Sequence, residues 1–275
     1  MLELPESRDL AQKLRASVVG LRVEKACANA TPHGFAFYNG DPAGYGALLN
    51  GKTIDDAQAF GGQMEMALED ARLVINDGIN MRLYPAGVKR PDKHQLLLEL
   101  SDGSALVCTV QMYGGMQAFL AGTYENPYYL TAQEKPSPLG DEFGEAYFMK
   151  MLADAKPTLS AKAFLATEQR IPGLGNGVLQ DILFRARIHP KTKLSSLSAE
   201  QKHGMYQAVK GTLREMTEKS GRDTEKDLYG NPGGYKCTLS KNTLDKPCPV
   251  CGDTLVRQAY LGGNIYFCPT CQPGA

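Results

Sequence analysis

The chain has 275 residues, 43% of them hydrophobic and 22% charged, a balance expected of an ordinary globular protein with room for two domains and an appendage. No apolar run approaches the ~18 residues of a membrane helix. Acids stand in Met1-Leu2-Glu3-Leu4-Pro5-Glu6 where a secretory leader carries Lys or Arg, and seven clustered cysteines are too few for a disulfide framework, so the expectation is a cytoplasmic protein with no membrane partner. Thirty basic residues balance 30 acidic ones, yet residues 1–155 carry −7 and residues 156–275 carry +7, a split that points to a polyanion-binding C-terminal half.

Leu10, Leu14 and Val18 recur at four-residue spacing with Arg8, Lys13 and Arg15 off the stripe, which predicts an N-terminal helix ending at Gly20. From residue 21 to about residue 130 the texture changes to short runs such as Leu73-Val74-Ile75, 95–100 and 105–110, separated by Asn50-Gly51, Asp77-Gly78 and Asp102-Gly103. Short strands with such turns predict an antiparallel sandwich or barrel. Lys135-Pro136-Ser137-Pro138-Leu139-Gly140 reads as a linker, because two prolines discourage both helix and ladder. Helices are expected over 142–155, 161–169, 177–186 and 199–219, the last capped by Ser198. Gly230-Asn231-Pro232-Gly233-Gly234 then breaks the pattern before a cysteine-rich tail. The expected division is 1–130 for an N-terminal helix and β-sandwich, 131–140 for the linker, 141–234 for a helical module and 235–275 for the tail.

Cys248-Pro249-Val250-Cys251 and Cys268-Pro269-Thr270-Cys271 are two C-x2-C knuckles. Two intervening residues let each knuckle aim both thiolates at one ion, and the span between them holds a hairpin over 254–261 and 265–267 around Gly262-Gly263-Asn264. One structural Zn2+ on Cys248, Cys251, Cys268 and Cys271 is the expected cofactor; a closed four-thiolate shell leaves no place for a catalytic water. A tail this short has no core of its own, so the metal must hold it folded. Cys27, Cys108 and Cys237 read as core or incidental thiols.

Pro172-Gly173-Leu174-Gly175-Asn176-Gly177 opens a helix. Its unpaired N–H groups and the positive end of the helix dipole predict a phosphate site, with Asn176 adding a side-chain donor. Arg185, Arg187, Lys191 and Lys193 are further phosphate contacts or a solvated face, and both readings stay open. His189 before Pro190 reads as structural.

That glycine-rich turn, its continuation Leu183-Phe184-Arg185-Ala186-Arg187-Ile188-His189-Pro190, the N-terminal Glu3-Leu4-Pro5-Glu6 and the closing Phe267-Cys268-Pro269-Thr270-Cys271-Gln272 together resemble the formamidopyrimidine-DNA glycosylase/endonuclease VIII family. The resemblance runs in the family's order along essentially the whole chain. It implies an α+β multidomain fold: an N-terminal helix with an antiparallel β-sandwich, a helix–two-turn–helix DNA-binding module and a C-terminal zinc-finger hairpin. It implies a monomer acting on double-stranded DNA, damaged or abasic, and associated with the nucleoid when bound. Glu3 would be the carboxylate that protonates the opening sugar, with Glu6 nearby. Tyr113, in Gln111-Met112-Tyr113, would fill the void left by a flipped base, and Ile79 stands near the position of the family's void-filling methionine.

The same resemblance marks three departures. Leu2 occupies the position of the family's nucleophilic proline, so with Met1 retained the amine sits one residue out of register, about 3–4 Å away. Ala59-Phe60-Gly61-Gly62-Gln63 lacks the lysine that holds a phosphate. Asn264 stands where an arginine clamps the phosphate beside the lesion, and Arg257 lies elsewhere on the hairpin. Three readings are therefore open: a divergent DNA glycosylase with abasic-site lyase ancestry, a non-catalytic binder of damaged, abasic or branched DNA, and a zinc-ribbon interaction protein. Lesion specificity is expected in the stretch 211–234, which includes Ser220-Gly221-Arg222-Asp223-Thr224.

Overall fold

The computed structural model describes residues 1–274. Helix α1 (Leu4–Ser17) starts on a reciprocal capping box: the Glu3 side chain accepts from the third helical amide while the Glu6 side chain accepts from the Glu3 amide, and proline stands in the first turn. Leu10, Leu14 and Val18, the stripe read from the sequence, are all buried against the sandwich.

The sandwich has two sheets. One holds β1 (Val23–Ala28), β6 (Ile79–Tyr84), β7 (Leu96–Leu100) and β8 (Ala105–Val110) in the order β1-β7-β8-β6. The other holds β2 (Ala36–Tyr38), β3 (Ile54–Phe60), β4 (Gln63–Leu68), β5 (Ala71–Asn76) and β9 (Gly114–Leu120) in the order β2-β9-β5-β4-β3. Every pairing is antiparallel except the edge pair β2 and β9, where Phe37 lies opposite Gly115. Leu73 and Ile75 from one sheet and Leu96, Leu98 and Leu106 from the other meet in a single core that excludes water. Short helix α2 (Tyr45–Leu49) closes one end, its Tyr45 hydroxyl bonded to the Met116 carbonyl.

Helix α3 (Pro127–Glu134) falls where the sequence reading had strand passing into linker. Asn126 caps it by accepting from the amides of Tyr128 and Tyr129, and Pro127 supplies the preset first turn. The Tyr129 hydroxyl donates to the buried carboxylate of Glu65 on β4, which pins α3 to the sheet.

A second core gathers α4 (Glu145–Asp154), α5 (Ala161–Ala166), α6 (Val178–Arg185) and α7 (Ala199–Glu218), with Phe148, Phe164, Leu179, Ile182 and Leu213 buried at its centre. Two backbone seams stand out among the ties between this module and the sandwich. At the first, the β3–β4 turn meets the loop before α6 backbone to backbone: a Cβ on Gly61 would lie 2.6 Å from Pro172, and one on Gly173 would lie 2.4 Å from the Gly61 carbonyl carbon. At the second, the strap 220–234 leaves α7 and crosses back to α1 and β6. Its Leu228 is fully buried in the sandwich core, and the Leu83 amide donates to the Leu228 carbonyl.

The tail forms β10 (Val256–Tyr260) and β11 (Gly263–Phe267), a hairpin close to the expected bounds. Buried Asp181 on α6 anchors the approach to it, accepting from the amides of Thr238 and Leu239 and from the Tyr235 hydroxyl. Among the described residues no helix is long and apolar enough to cross a membrane.

Candidate nucleic-acid interface and metal centre

An open cleft of about 720 Å3 lies where the sandwich, the helical module and the hairpin meet. Its wall includes Leu2, Glu3, Tyr113, Asn176 and Asn264, residues separated by up to 262 positions in sequence. Met112 and Tyr113, 62% and 41% exposed, stand on the loop between β8 and β9 as an apolar rim. Asn176 precedes α6 and donates through Nδ2 to the Asn264 carbonyl of the hairpin turn at 3.0 Å. Its buried Oδ1 has no partner among the described residues.

Gln180, one turn along α6, completes the joint. Its Nε2 donates to the carbonyls of Asn176 and Asn264, and its Oε1 accepts from the Tyr266 amide. Lys162 on α5 is the one Lys or Arg in the cleft wall among the described residues. Its ammonium donates to the Tyr260 carbonyl, and burial lowers its pKa. Nothing in the sequence around Gln180 or Lys162 signals these roles, because their partners come from the tail.

Glu3 is deeply buried. Its carboxylate accepts from the amides of Gly177 and Val178 at 2.8 and 2.7 Å, so the amides expected to be free for a phosphate are already taken at the start of α6. The expectation of an open helix N-terminus is corrected by this long-range cap. Close approach explains the local glycines, since a Cβ on Gly175 would lie 2.7 Å from the Glu3 carboxylate. Burial raises the Glu3 pKa despite Arg222 and the two amides.

Glu6 lines a second, narrower pocket beside the cleft and not the cleft wall itself. It holds Arg222 in a two-pronged pair at 2.9 Å from both Nε and Nη2, and it also accepts from the Arg222 amide. Burial opposes the Glu6 charge, but Arg222 outweighs it and holds the pKa below the ordinary value. Arg222, 3% exposed, lies 3.7 Å from Glu3 as well, and its own pKa is raised by the carboxylates around it despite burial. A residue expected on a lesion-reading loop is thus the buried counter-charge of the two N-terminal glutamates.

The Met1 amine forms an ion pair with Glu225 of the strap. Leu2 donates its amide to the Asp77 carbonyl at 2.6 Å. Arg185, at the end of α6, is paired with Glu215 and donates to the Tyr235 hydroxyl; it does not line the cleft. At the Ala59–Gln63 stretch, Gly62 lines the cleft with its backbone close against Leu2 and Gly173, where a Cβ would lie 3.0 Å from the Leu2 carbonyl oxygen.

The sulfurs of Cys248, Cys251, Cys268 and Cys271 lie within 4.8 Å of one another, with Cys248 to Cys271 at 3.7 Å and Cys251 to Cys268 at 3.4 Å. Four thiolates at ~2.3 Å from one tetrahedral ion stand about 3.7–3.8 Å apart, so this cluster can hold a metal. Burial opposes the Cys248 thiolate, but the amides of Cys251 and Val250 outweigh it and lower that thiol to about 7, while burial pushes the Cys268 and Cys271 thiols up.

A family model described as the formamidopyrimidine-DNA glycosylase H2TH domain matches residues 135–226. Formamidopyrimidine-DNA glycosylase of Symbiobacterium thermophilum is 30% identical, with 99% of this chain aligned to 90% of that protein. The Bacillus cereus protein of the same name is 28% identical, with 99% of each chain covered. Among solved structures, the MutM (Fpg) protein of Thermus thermophilus superposes with a TM-score of 0.82 at 26% identity over 99% of both chains. The Lactococcus lactis Fpg in complex with abasic-site DNA superposes at 0.84 with 22% identity, covering 99% of this chain and 100% of that one, a likeness of fold.

Proposed function

The chain belongs to the formamidopyrimidine-DNA glycosylase family, and on that premise we propose that it is a DNA-repair protein that engages damaged or abasic double-stranded DNA across the cleft. One observation carries this reading: the fold gathers Leu2, Glu3, Tyr113, Asn176 and Asn264, drawn from all three parts of the chain, onto one open surface. The Lactococcus lactis relative bound to abasic-site DNA supports the choice of partner. The cytoplasm and nucleoid are its place of action, and it acts as a monomer in three units (1–130, 141–234 and 235–275) joined by the linker 131–140.

Excision of the family's type needs an amine against C1′, a carboxylate beside the sugar and cations on the phosphate. The carboxylate of Glu3 stands at the cleft, and its raised pKa suits a proton donor. The Met1 amine, one residue out of register with the family's nucleophile, is tied up in an ion pair with Glu225 of the strap. Of the chemistries open to this cleft, recognition without covalent capture is therefore favoured over amine-driven strand cleavage. Tyr113 fills the gap in the duplex by partial intercalation. One structural Zn2+ on Cys248, Cys251, Cys268 and Cys271 fixes the hairpin that presents Asn264.

The test is a fluorescence-anisotropy titration of the full chain with a duplex carrying one abasic site, followed by borohydride trapping. Saturable binding with little trapped adduct is expected. Absence of binding to any duplex overturns the reading. Efficient trapping by protein shown by mass spectrometry to keep Met1 overturns the non-covalent mechanism and makes that amine the nucleophile.

A further inference from the structure

Strand β2 ends the five-stranded sheet, and among the described residues no further strand pairs with its outer edge. Alternation along the chain packs Ala36 and Tyr38 against the sandwich core and turns Phe35 and Phe37 the other way. These two phenylalanines are 62% and 51% exposed, and large apolar groups left together at a surface mark a contact site. Phe37 lies opposite Gly115 of β9, which offers no side chain to cover its ring. At the ordinary strand rise the two positions stand about 6.6 Å apart.

This aromatic step adjoins the cleft. The Gly114 amide donates to the Phe35 carbonyl at 3.0 Å, which seats Phe35 beside Tyr113, the residue just before Gly114. Tyr113 lines the cleft, so aromatic surface continues from the cleft wall onto the outer face of the sandwich. Cations flank the step. The segment entering β2 is bonded to the β6–β7 loop, Asn29 donating its amide to the Gln95 carbonyl at 2.7 Å and Thr31 to that of His94 at 3.0 Å. That loop carries Lys89, Arg90 and Lys93 against a single acid, Asp92. Arg90 is paired with Glu99, whereas Lys89 and Lys93 are exposed and form no ion pair among the described residues.

Resting on the DNA-repair reading above, we propose that Phe35 and Phe37 are a stacking platform for unpaired bases of a single-stranded DNA segment running out of the cleft. Every base has a π-face, so exposed rings at strand spacing hold successive bases without reading their sequence. A fully paired duplex keeps its bases stacked on one another and has none to give. Lys89 and Lys93 meet the phosphates of the same segment. Rings beside free cations suit a polyanion with flat apolar faces better than an apolar protein surface, which would leave both charges without a partner. The protein is thereby directed to lesions that lie next to opened strands.

Anisotropy titrations of the natural full-length protein compare two duplexes carrying the same tetrahydrofuran abasic analogue. One is fully paired; in the other a short run of mismatched thymines opens the strands beside the analogue. The opened duplex should bind about fivefold or more tighter, the worth of one base stacked on an aromatic ring. The double variant Phe35→Ala/Phe37→Ala, checked by circular dichroism for a native spectrum, should lose that advantage and keep its affinity for the paired duplex. Equal binding of the two duplexes by the natural protein overturns the proposal and leaves the DNA-repair reading intact, as does a folded variant that retains the advantage. No binding to either duplex overturns both. Photocrosslinking of the natural protein to iodouracil placed in the opened run tests the same contact without a variant. Adducts mapped by mass spectrometry to Phe35 or Phe37 are expected, and adducts absent or confined to other residues overturn the proposal. A natural protein that sediments as a dimer, with the double variant a monomer, assigns the rings to a second copy of the chain and overturns it too.

Discussion

Glu3, Glu6 and Arg222 make the N-terminus a buried charge cluster. Removing one partner of such a cluster leaves charges that neither water nor protein satisfies, typically at a cost of ~3–5 kcal/mol. Arg222→Ala should therefore lower unfolding stability by about that much in urea titrations, and Arg222→Lys should recover only part because it lacks the fork that grips Glu6. The pH dependence has a defined sign. The Glu6 contribution is complete above its unfolded value of about 4.3 and is lost as pH falls through its lower folded value. Glu3 acts oppositely, since its raised value makes the buried charge a penalty that acid relieves. Thermal melts should show the largest gap between Arg222→Ala and the natural protein near neutral pH and a smaller one in acid. At Leu2, replacement by proline is expected to permit loss of Met1. The amine would then stand beside the Asp77 carbonyl, on the cleft and away from Glu225. Borohydride trapping should rise above that of the natural protein; no rise would mean that register alone does not account for a missing nucleophile.

The hairpin is held by four thiolates at one end and by Asn176, Gln180 and Lys162 at the other. Elemental analysis should find one zinc per chain, and Cys248→Ser should lose it. Chelation should unfold β10 and β11 while the sandwich keeps its melting transition, because the two large cores do not include the cysteine cluster. Regular elements like this hairpin were legible from local pattern: alternating strands, the stripe of α1 and paired cysteines each follow from neighbours a few residues apart. Helix α3 carried a readable signal too, in Asn126-Pro127, masked by the strand texture before it. The parallel pairing of β2 with β9 was not legible, since a three-residue strand states no direction. Nor was the cap of α6 by Glu3, whose partners lie 174 and 175 residues away. A glycine-rich turn looks the same in sequence whether its amides face a ligand or a distant carboxylate.

At the scale of the molecule, the charge split read from the sequence does not become a basic cleft. Lys162 is the one cation in the wall among the described residues, while Arg185 and Arg170 are paired with acids. DNA binding should accordingly depend only moderately on salt. A log–log slope smaller in magnitude than about 4 is expected, because each phosphate neutralised contributes about 0.9. A steeper slope measured by anisotropy would mean that basic residues outside the cleft meet the backbone. Asn176→Ala should weaken abasic and undamaged duplexes alike, since it loosens the joint between α6 and the hairpin without touching a base.

The seam where Gly61 and Gly62 press against Pro172 and Gly173 makes backbone, rather than side chains, the spacer between the two halves. A first side-chain carbon at Gly61 would lie 2.6 Å from Pro172, and one at Gly173 would lie 2.4 Å from Gly61, so a single added methyl group must push sandwich and helical module apart. Because Gly62 and Gly173 both line the cleft, the width of that cleft is gauged by two glycine backbones, and it can be altered without exchanging any side chain that faces it.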